Sequence, residues 1–230
     1  MEIQAATFYR FVELTGLAEW KSQMIEAGLS ENIRGTILLA EEGINATIAG
    51  NPHNIQSFLS FLHTFNELKG LNARFTDCTD WPFKKLKVRI KKEIITLKSK
   101  VNPLRATGIH VSPQEWNQLI ASPDTFVLDT RNNYEVKLGS FRGAIDPNLK
   151  TFSDFRSFAK TQLQARKSQK IAMYCTGGIR CEKASAYLIE LGFDQVYQLD
   201  GGIIQYQLQM PTEESLFEGQ NFVFDERIAL

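Results

Sequence analysis

The stretch Ile171-Ala172-Met173-Tyr174-Cys175-Thr176-Gly177-Gly178-Ile179-Arg180-Cys181 decides how the second half of this chain folds. Residues 171–174 form a short apolar run with the length and composition of a buried strand. Further on, Ala184, Tyr187, Leu188 and Leu191 recur at i, i+3, i+4 and i+7, which predicts a helix over residues 183–191, and Gly192 is placed to stop it. A cysteine at a strand end, followed by two glycines and a helix start, faces the positive end of that helix, where backbone N–H groups can converge on an anion. Such a setting lowers a thiol pKa from about 8.5 into the range ~3.5–7.5. Cys175 is therefore expected to react as a thiolate. The competing reading is a buried structural cysteine before a glycine turn.

Loop length narrows the chemistry. Cysteine-type phosphatases place five residues between Cys and Arg, whereas here only Thr176, Gly177, Gly178 and Ile179 separate Cys175 from Arg180. The shorter loop resembles the rhodanese (sulfurtransferase) pattern, whose cysteine carries a sulfane sulfur as a persulfide, a reversible cap of reactive thiols. Other motifs agree in order. Phe126-Val127-Leu128-Asp129-Thr130-Arg131 resembles the strand and Asp-x-Arg signature that opens a rhodanese core, and Glu135 stands where that family has a glutamate. Gly139-Ser140-Phe141-Arg142-Gly143-Ala144-Ile145 resembles the Gly-His-Ile-Pro-Gly-Ala-Ile segment, although Ser140 and Arg142 depart from it and inherit no role. Leu199-Asp200-Gly201-Gly202-Ile203 matches the Leu-x-Gly-Gly turn.

The resemblance implies Cys175 as the catalytic residue and Thr176, Gly177, Gly178, Ile179, Arg180 and Cys181 as the active-site loop, with Asp129 and Arg131 bracing it from a neighbouring strand end. Two readings of Arg180 stand: it holds an anionic substrate, or it forks onto loop carbonyls. Cys181 likewise either resolves an oxidised Cys175 or packs.

The first hundred residues alternate differently. Strand over residues 7–14, helix over 17–27 closed by Gly28, strands over 35–40 and 44–49 about a Glu41-Glu42-Gly43 turn, helix over 52–68, and strands at 74–75 and 86–97 predict a small α+β domain of the ferredoxin or acylphosphatase kind. Asn51 and Pro52 are placed as N-cap and first residue of the second helix. Acylphosphatase activity is not expected, since the loop after the first strand, Leu14-Thr15-Gly16-Leu17, lacks the phosphate-binding arginine. The expected organisation is residues 1–98 for this domain, 99–112 as a link, and 113–230 for a rhodanese-like parallel-sheet α/β domain with a C-terminal extension, its first helix over residues 113–120 capped by Ser112.

Eight of the seventeen residues from Lys84 to Lys100 are Lys or Arg. Lys85, Lys87, Arg89 and Lys91 alternate with Leu86, Val88 and Ile90, so on a strand the four cations share one face while the apolar residues enter the core. Same-face residues lie ~6.6 Å apart, a spacing comparable to that of nucleic-acid phosphates, and Lys/Arg contacts to phosphate dominate such affinity. Trp81 and Phe83 could stack on bases or belong to the core. A solvated face or a lysine-protected edge strand fits the same pattern.

Composition bounds the rest. The 230 residues are 43% hydrophobic and 23% charged, with formal net charge +0, which excludes a strongly basic nucleic-acid binder. The charge is nevertheless polarised, since residues 1–105 carry 14 Lys/Arg against 11 Asp/Glu and the remainder 12 against 15. Three cysteines without disulfide spacing suit a reducing, cytoplasmic setting, and neither a signal peptide nor an apolar run of ~18 residues is evident. Cys78 reads as structural. His53, His63 and His110 make no zinc-like spacing, so no metal is expected. The sequence shows no flavin fingerprint and no iron-binding His/Asp set, so no cofactor is evident.

The Glu41-Glu42-Gly43-Ile44-Asn45-Ala46-Thr47 segment, the Cys175–Lys183 string and the tail Gly219-Gln220-Asn221-Phe222-Val223-Phe224-Asp225-Glu226-Arg227 together resemble the TrhO family over nearly the whole chain. That resemblance implies oxygen-dependent 5-hydroxylation of the wobble uridine of tRNA through Cys175, with molecular oxygen as co-substrate. It also implies tRNA as partner and Lys85, Lys87, Arg89 and Lys91 as RNA-binding residues. The alternative is a sulfurtransferase that moves sulfur from a donor through a Cys175 persulfide. Longer members of the family carry a cysteine-rich C-terminal region beyond the part matched here.

Overall fold

In the computed structural model, which describes residues 2–223, the chain divides into two compact units that meet at Ile95 and Thr96. The 224–227 part of the tail motif lies outside the described residues.

The first unit is built from β1 (Ile3–Phe11), α1 (Leu17–Ser30), β2 (Arg34–Ala40), β3 (Gly43–Gly50), α2 (Pro52–Leu62), β4 (Arg74–Cys78) and β5 (Leu86–Ile90). Its sheet runs β4-β1-β3-β2-β5. The first four strands are antiparallel neighbours in the order of a βαββαβ sandwich, and β5 adds a parallel edge beside β2. Both helices cover one face: Met24, Ile55, Phe58, Leu59 and Leu62 share a core with Ala6, Phe8, Ile37, Leu39 and Ile48. The Asn51 side chain accepts from the His53 N–H at 3.0 Å, as its N-cap position requires.

Several boundaries differ from the sequence reading, each for a tertiary reason. β1 begins at Ile3 because Gln4 already pairs with Gly50 on one side and Asp77 on the other. Gly28 does not end α1; it lies inside it, where a Cβ would stand 2.5 Å from the Leu86 side chain, so the glycine permits close packing of α1 on β5. The second helix ends at Leu62, and residues 66–68 form a separate 3-10 turn. β5 stops at Ile90 because its partner β2 ends at Ala40. The chain then folds back, with the Ile94 N–H donating to Glu42 Oε1 at 2.7 Å and Asn45 Nδ2 donating to the Ile94 carbonyl at 3.0 Å.

The second unit contains β6 (Ile109–Val111), α3 (Pro113–Ile120), β7 (Thr125–Asp129), α4 (Asn133–Val136), β8 (Gly139–Phe141), α5 (Phe155–Gln162), β9 (Lys170–Tyr174), α6 (Ile179–Glu190), β10 (Val196–Leu199), α7 (Gly202–Gln209) and β11 (Phe217–Gly219). A parallel sheet runs β6-β10-β9-β7, and β8 pairs antiparallel with β11. Ile109–Val111, which falls within the expected link, is thus the edge strand of this sheet. Ser112 caps α3 reciprocally with Glu115.

The core centres on Trp116, Phe141, Tyr174, Tyr206 and Phe217, whose rings meet edge to face with Phe141 in the middle. Such pairs add ~0.5–1.5 kcal/mol each beyond their buried area. Tyr174 is the last residue of β9, so this cluster fixes the strand end from which the cysteine loop departs.

Candidate active site

Cys175 leaves β9 at the carboxyl edge of the parallel sheet, the usual place for a site in an α/β fold. The loop turns at Gly178, whose φ of 96° suits glycine, and α6 starts at once, four residues earlier than the apolar periodicity suggested. The tight turn points the Gly178 N–H at Cys175 Sγ, 3.1 Å away. The Arg180 charge and the first turn of α6, which closes with the Cys181 N–H on the Gly178 carbonyl at 3.0 Å, also bear on the sulfur. Cys175 is 0% exposed. Burial alone would push its pKa up, but the Cys181 thiol, the Arg180 charge and the N–H groups together outweigh it and bring it down to about 6. A value of about 6 favours the thiolate at neutral pH.

Arg180 forks, but onto a carboxylate rather than onto the loop carbonyls that the structural reading expected. Its guanidinium forks onto Glu135, Nη1 to Oε2 at 2.5 Å and Nη2 to Oε1 at 2.7 Å, and Nη2 also reaches Thr176 Oγ1 at 3.1 Å. The Thr176 hydroxyl donates to Glu135 Oε1 at 3.1 Å. Burial disfavours both charges, yet the pairing prevails: the Glu135 carboxyl is held below its ordinary pKa and the guanidinium is held more firmly protonated. The loop carbonyls are taken instead by the start of α7, with the Ile203 N–H on the Cys175 carbonyl and the Ile204 N–H on the Thr176 carbonyl, both at 3.0 Å. The Leu-x-Gly-Gly turn thus backs the loop directly. A Cβ on Gly202 (φ 65°) would meet the Cys175 carbonyl oxygen and stand 2.8 Å from both the Gly178 nitrogen and the Thr176 carbonyl oxygen.

Asp129 and Arg131 brace at one remove. Arg131 binds both Asp129 oxygens, with Nη2–Oδ2 at 2.6 Å, and donates to the Gly139 carbonyl at 2.6 Å, tying the end of β7 to β8. Between them Thr130 touches the site more closely: its N–H and hydroxyl both donate to the Tyr174 carbonyl, and its Oγ1 lies 3.5 Å from Cys181 Sγ. Thr130 and Gly202 lay inside motifs quoted from the sequence without being assigned to the site, and Glu135 was noted without its partner. Residues 45 apart give no local signal of pairing.

On the first unit, Lys85, Lys87, Arg89 and Lys91 are exposed along and beside the edge strand β5. Val88 is buried and Leu86 half-buried, but Ile90 is 44% exposed and does not enter the core as expected, because it is the last residue of the edge. Trp81 and Phe83 pack on Ile3, Ala5 and Ala49, and Arg34 lies 3.9 Å over the Trp81 ring, which favours their core reading. Cys78 is half-buried, with its sulfur 3.7 Å from the Thr76 carbonyl. No helix among the described residues is long and apolar enough to cross a membrane.

A parallel α/β sheet that presents a Cys-x4-Arg anion cradle between strand and helix defines a rhodanese-like domain, and residues 112–209 match that family. Residues 3–94 match the UPF0176 acylphosphatase like domain. Curated relatives match almost end to end. The tRNA uridine(34) hydroxylase of Nitrobacter winogradskyi is 49% identical over 99% of this chain and 91% of its own length. Those of Synechocystis sp. and Agrobacterium fabrum are 48% and 47% identical, over 83% and 72% of their lengths and 100% and 98% of this one. The chain belongs to the tRNA uridine(34) hydroxylase family.

Proposed function

We propose that this protein hydroxylates the wobble uridine of tRNA at C5, consuming molecular oxygen, with Cys175 as the reacting group and β5 as part of the tRNA-binding surface. Membership of the family carries the reaction class. The observation that supports the residue is the Cys175 sulfur at the edge of the sheet, which receives the Gly178 N–H at 3.1 Å and whose pKa is brought down to about 6.

Uracil C5 is a poor nucleophile until an electron pair is pushed into the ring. The Cys175 thiolate adds to C6, moving the C5–C6 π pair into an enolate that is reactive at C5. One atom of dioxygen enters at C5, two electrons and two protons from a thiol reductant carry the other to water, and loss of the C5 proton expels the thiolate from C6. A sulfur whose pKa sits about 6 is a competent leaving group as well as a nucleophile. Arg180, locked to Glu135, contributes positive potential beside the sulfur rather than a movable substrate hand.

Nucleoside mass spectrometry of tRNA from cells lacking the gene, complemented with wild type, Cys175→Ala or Cys175→Ser, tests this reading. Restoration of 5-hydroxyuridine-derived nucleosides by wild type alone is expected. Equal nucleoside content in all strains, with any parallel pathway also removed, overturns it. Cyanide-dependent sulfur transfer by the purified protein would then make sulfurtransfer the better description.

A further inference from the structure

Attack on C6 requires the uracil to be held flat beside the cysteine loop, and Tyr134 is placed to hold it. This aromatic residue is left 43% exposed on α4, directly before the Glu135 that forks onto Arg180 and accepts from the Thr176 hydroxyl. Its ring is gripped at both ends. Phe222 meets it edge to face at 5.2 Å, and its hydroxyl accepts from Asn132 Nδ2 at 3.1 Å. An exposed ring already fixed in this way loses little rotamer freedom when a partner covers it. Leu138 and Ile145 are exposed as well, so three of the eight large apolar side chains left open among the described residues fall within residues 134–145. That segment borders the site: the Asp129 N–H donates to the Ile145 carbonyl at 3.1 Å, at the carboxyl end of β7, the strand beside β9. Apolar groups clustered in the open mark a surface that a partner covers.

We propose that Tyr134 is a substrate-binding residue, the platform on which the unstacked uracil of the tRNA loop lies. The inference deepens the tRNA reading and rests on it. An enzyme that works on a base takes it out of its stack, and single-stranded RNA bases are held by stacking on aromatic side chains. A uracil ring has two faces. Addition to C6 runs along the normal to the ring, so the Cys175 sulfur needs one face and the other is free to stack. Tyr134 then fixes the plane of the base and leaves its hydrogen-bonding edge to other groups. Because every base has a π-face, the tyrosine supplies affinity and orientation rather than the choice of uracil.

An anticodon stem-loop oligonucleotide carrying 5-iodouridine at the wobble position tests this with the full chain, since light joins an iodouracil to an aromatic ring stacked on it. Peptide mass spectrometry is expected to find the cross-link at Tyr134. Filter binding of the same stem-loop measures what the stack contributes. Tyr134→Ala should weaken binding roughly 5- to 150-fold, as loss of one base–aromatic stack does, whereas Tyr134→Phe, which keeps the ring, should bind close to wild type. A lost stack removes no charge, so the slope of log K against log salt should be the same in Tyr134→Ala and wild type. The pH midpoint for alkylation of Cys175 by iodoacetamide, read at that residue by peptide mass spectrometry, should also stay where it is. Equal affinity of Tyr134→Ala and wild type overturns the proposal, as does a loss that Tyr134→Phe shares or a cross-link confined to other residues. A shifted midpoint in Tyr134→Ala would place the defect in the cysteine loop and overturn it too. A stem-loop that wild type fails to bind removes the tRNA reading and this proposal together, whereas binding that ignores Tyr134 removes this proposal alone.

Discussion

Glu135 and Arg180 form a two-point ion pair that is almost wholly removed from water, joining the short helix α4 to the first turn of α6. The pair does two things at once. It neutralises a guanidinium that burial would otherwise make costly, and it fixes that guanidinium where its charge still reaches the Cys175 sulfur. The same carboxylate accepts from the Asn132 N–H at the start of α4 and from the Thr176 hydroxyl, so one side chain links helix cap, loop and arginine.

Glu135→Gln should be strongly destabilising. The amide keeps the shape but leaves Arg180 buried with an uncompensated charge, and breaking one side of such a pair costs about 3–5 kcal/mol. Urea denaturation of wild type and variant measures the loss. The pH dependence has a definite sign: because the folded carboxyl pKa is depressed, the contribution is present above the unfolded value and is lost as pH falls through the folded one. Wild type and Glu135→Gln should therefore converge in stability under acid. A Gln variant as stable as wild type at neutral pH would contradict the charge argument.

Gly202→Ala should damage the loop from behind. The new methyl would meet three backbone atoms of the cysteine loop at a residue already in the left-handed region, and backbone strain of that kind costs ~1–3 kcal/mol before the clash is counted. Moving the Cys175–Gly178 segment relieves the strain and lengthens the Gly178 N–H contact to the sulfur. A lower unfolding midpoint together with an alkylation midpoint above about 6 is the expected pair of results. Loss of stability with an unchanged sulfur would mean that α7, rather than the loop, yields.

What the sequence made legible follows from how local each feature is. Cys175, its glycines and the helix behind it lie within one strand-turn-helix unit, so apolar run, turn residue and periodicity all fall in one window. The pairing of Glu135 with Arg180 and the packing of Gly202 on the Cys175 carbonyl join residues 45 and 27 positions apart, which no pattern in a window links. Element ends failed where a neighbour decides them: Gly28 reads as a stop and is a packing contact for Leu86, and β5 ends where β2 does. Ile109–Val111 was too short to register as a strand, and is one because Tyr197, Gln198 and Leu199 lie alongside.

His110 supplies a pH-dependent clasp on the same helix. Its Nε2 lies 2.9 Å from Glu182 Oε1, and the second Glu182 oxygen accepts from Thr107 Oγ1 at 2.8 Å. The bond to Glu182, reinforced by the charges of Glu182 and Asp200 and opposed by partial burial, raises the His110 pKa above 6.5. A raised folded value means that the pairing stabilises fully below 6.5 and that its contribution fades as pH climbs through the folded pKa. The ring proton of His110 should titrate above 6.5 in NMR spectra of wild type and move back toward 6.5 in Glu182→Gln. An unshifted ring in wild type would show the clasp to be open in solution.

Lys87 and Arg89 offer the sharpest test of what the basic strand is for. Both point off an edge strand, the place where lysines also serve to deter pairing with another chain, so position alone does not separate RNA contact from protection. Salt dependence does. If each cation neutralises one phosphate, removing it should weaken tRNA binding at every sequence and flatten the slope of log K against log salt by roughly 0.7–0.9 per contact. Lys87→Glu with Arg89→Glu should therefore lower affinity most at low salt and remove about 1.4–1.8 units of slope, while leaving the Cys175 alkylation midpoint where wild type has it. Filter-binding titrations from 50 to 200 mM salt read both quantities. An unchanged slope, with aggregation of the double variant at high concentration, would instead identify β5 as a guarded edge and move the tRNA contact elsewhere. The unaltered cysteine in either case separates a binding defect from damage to the loop.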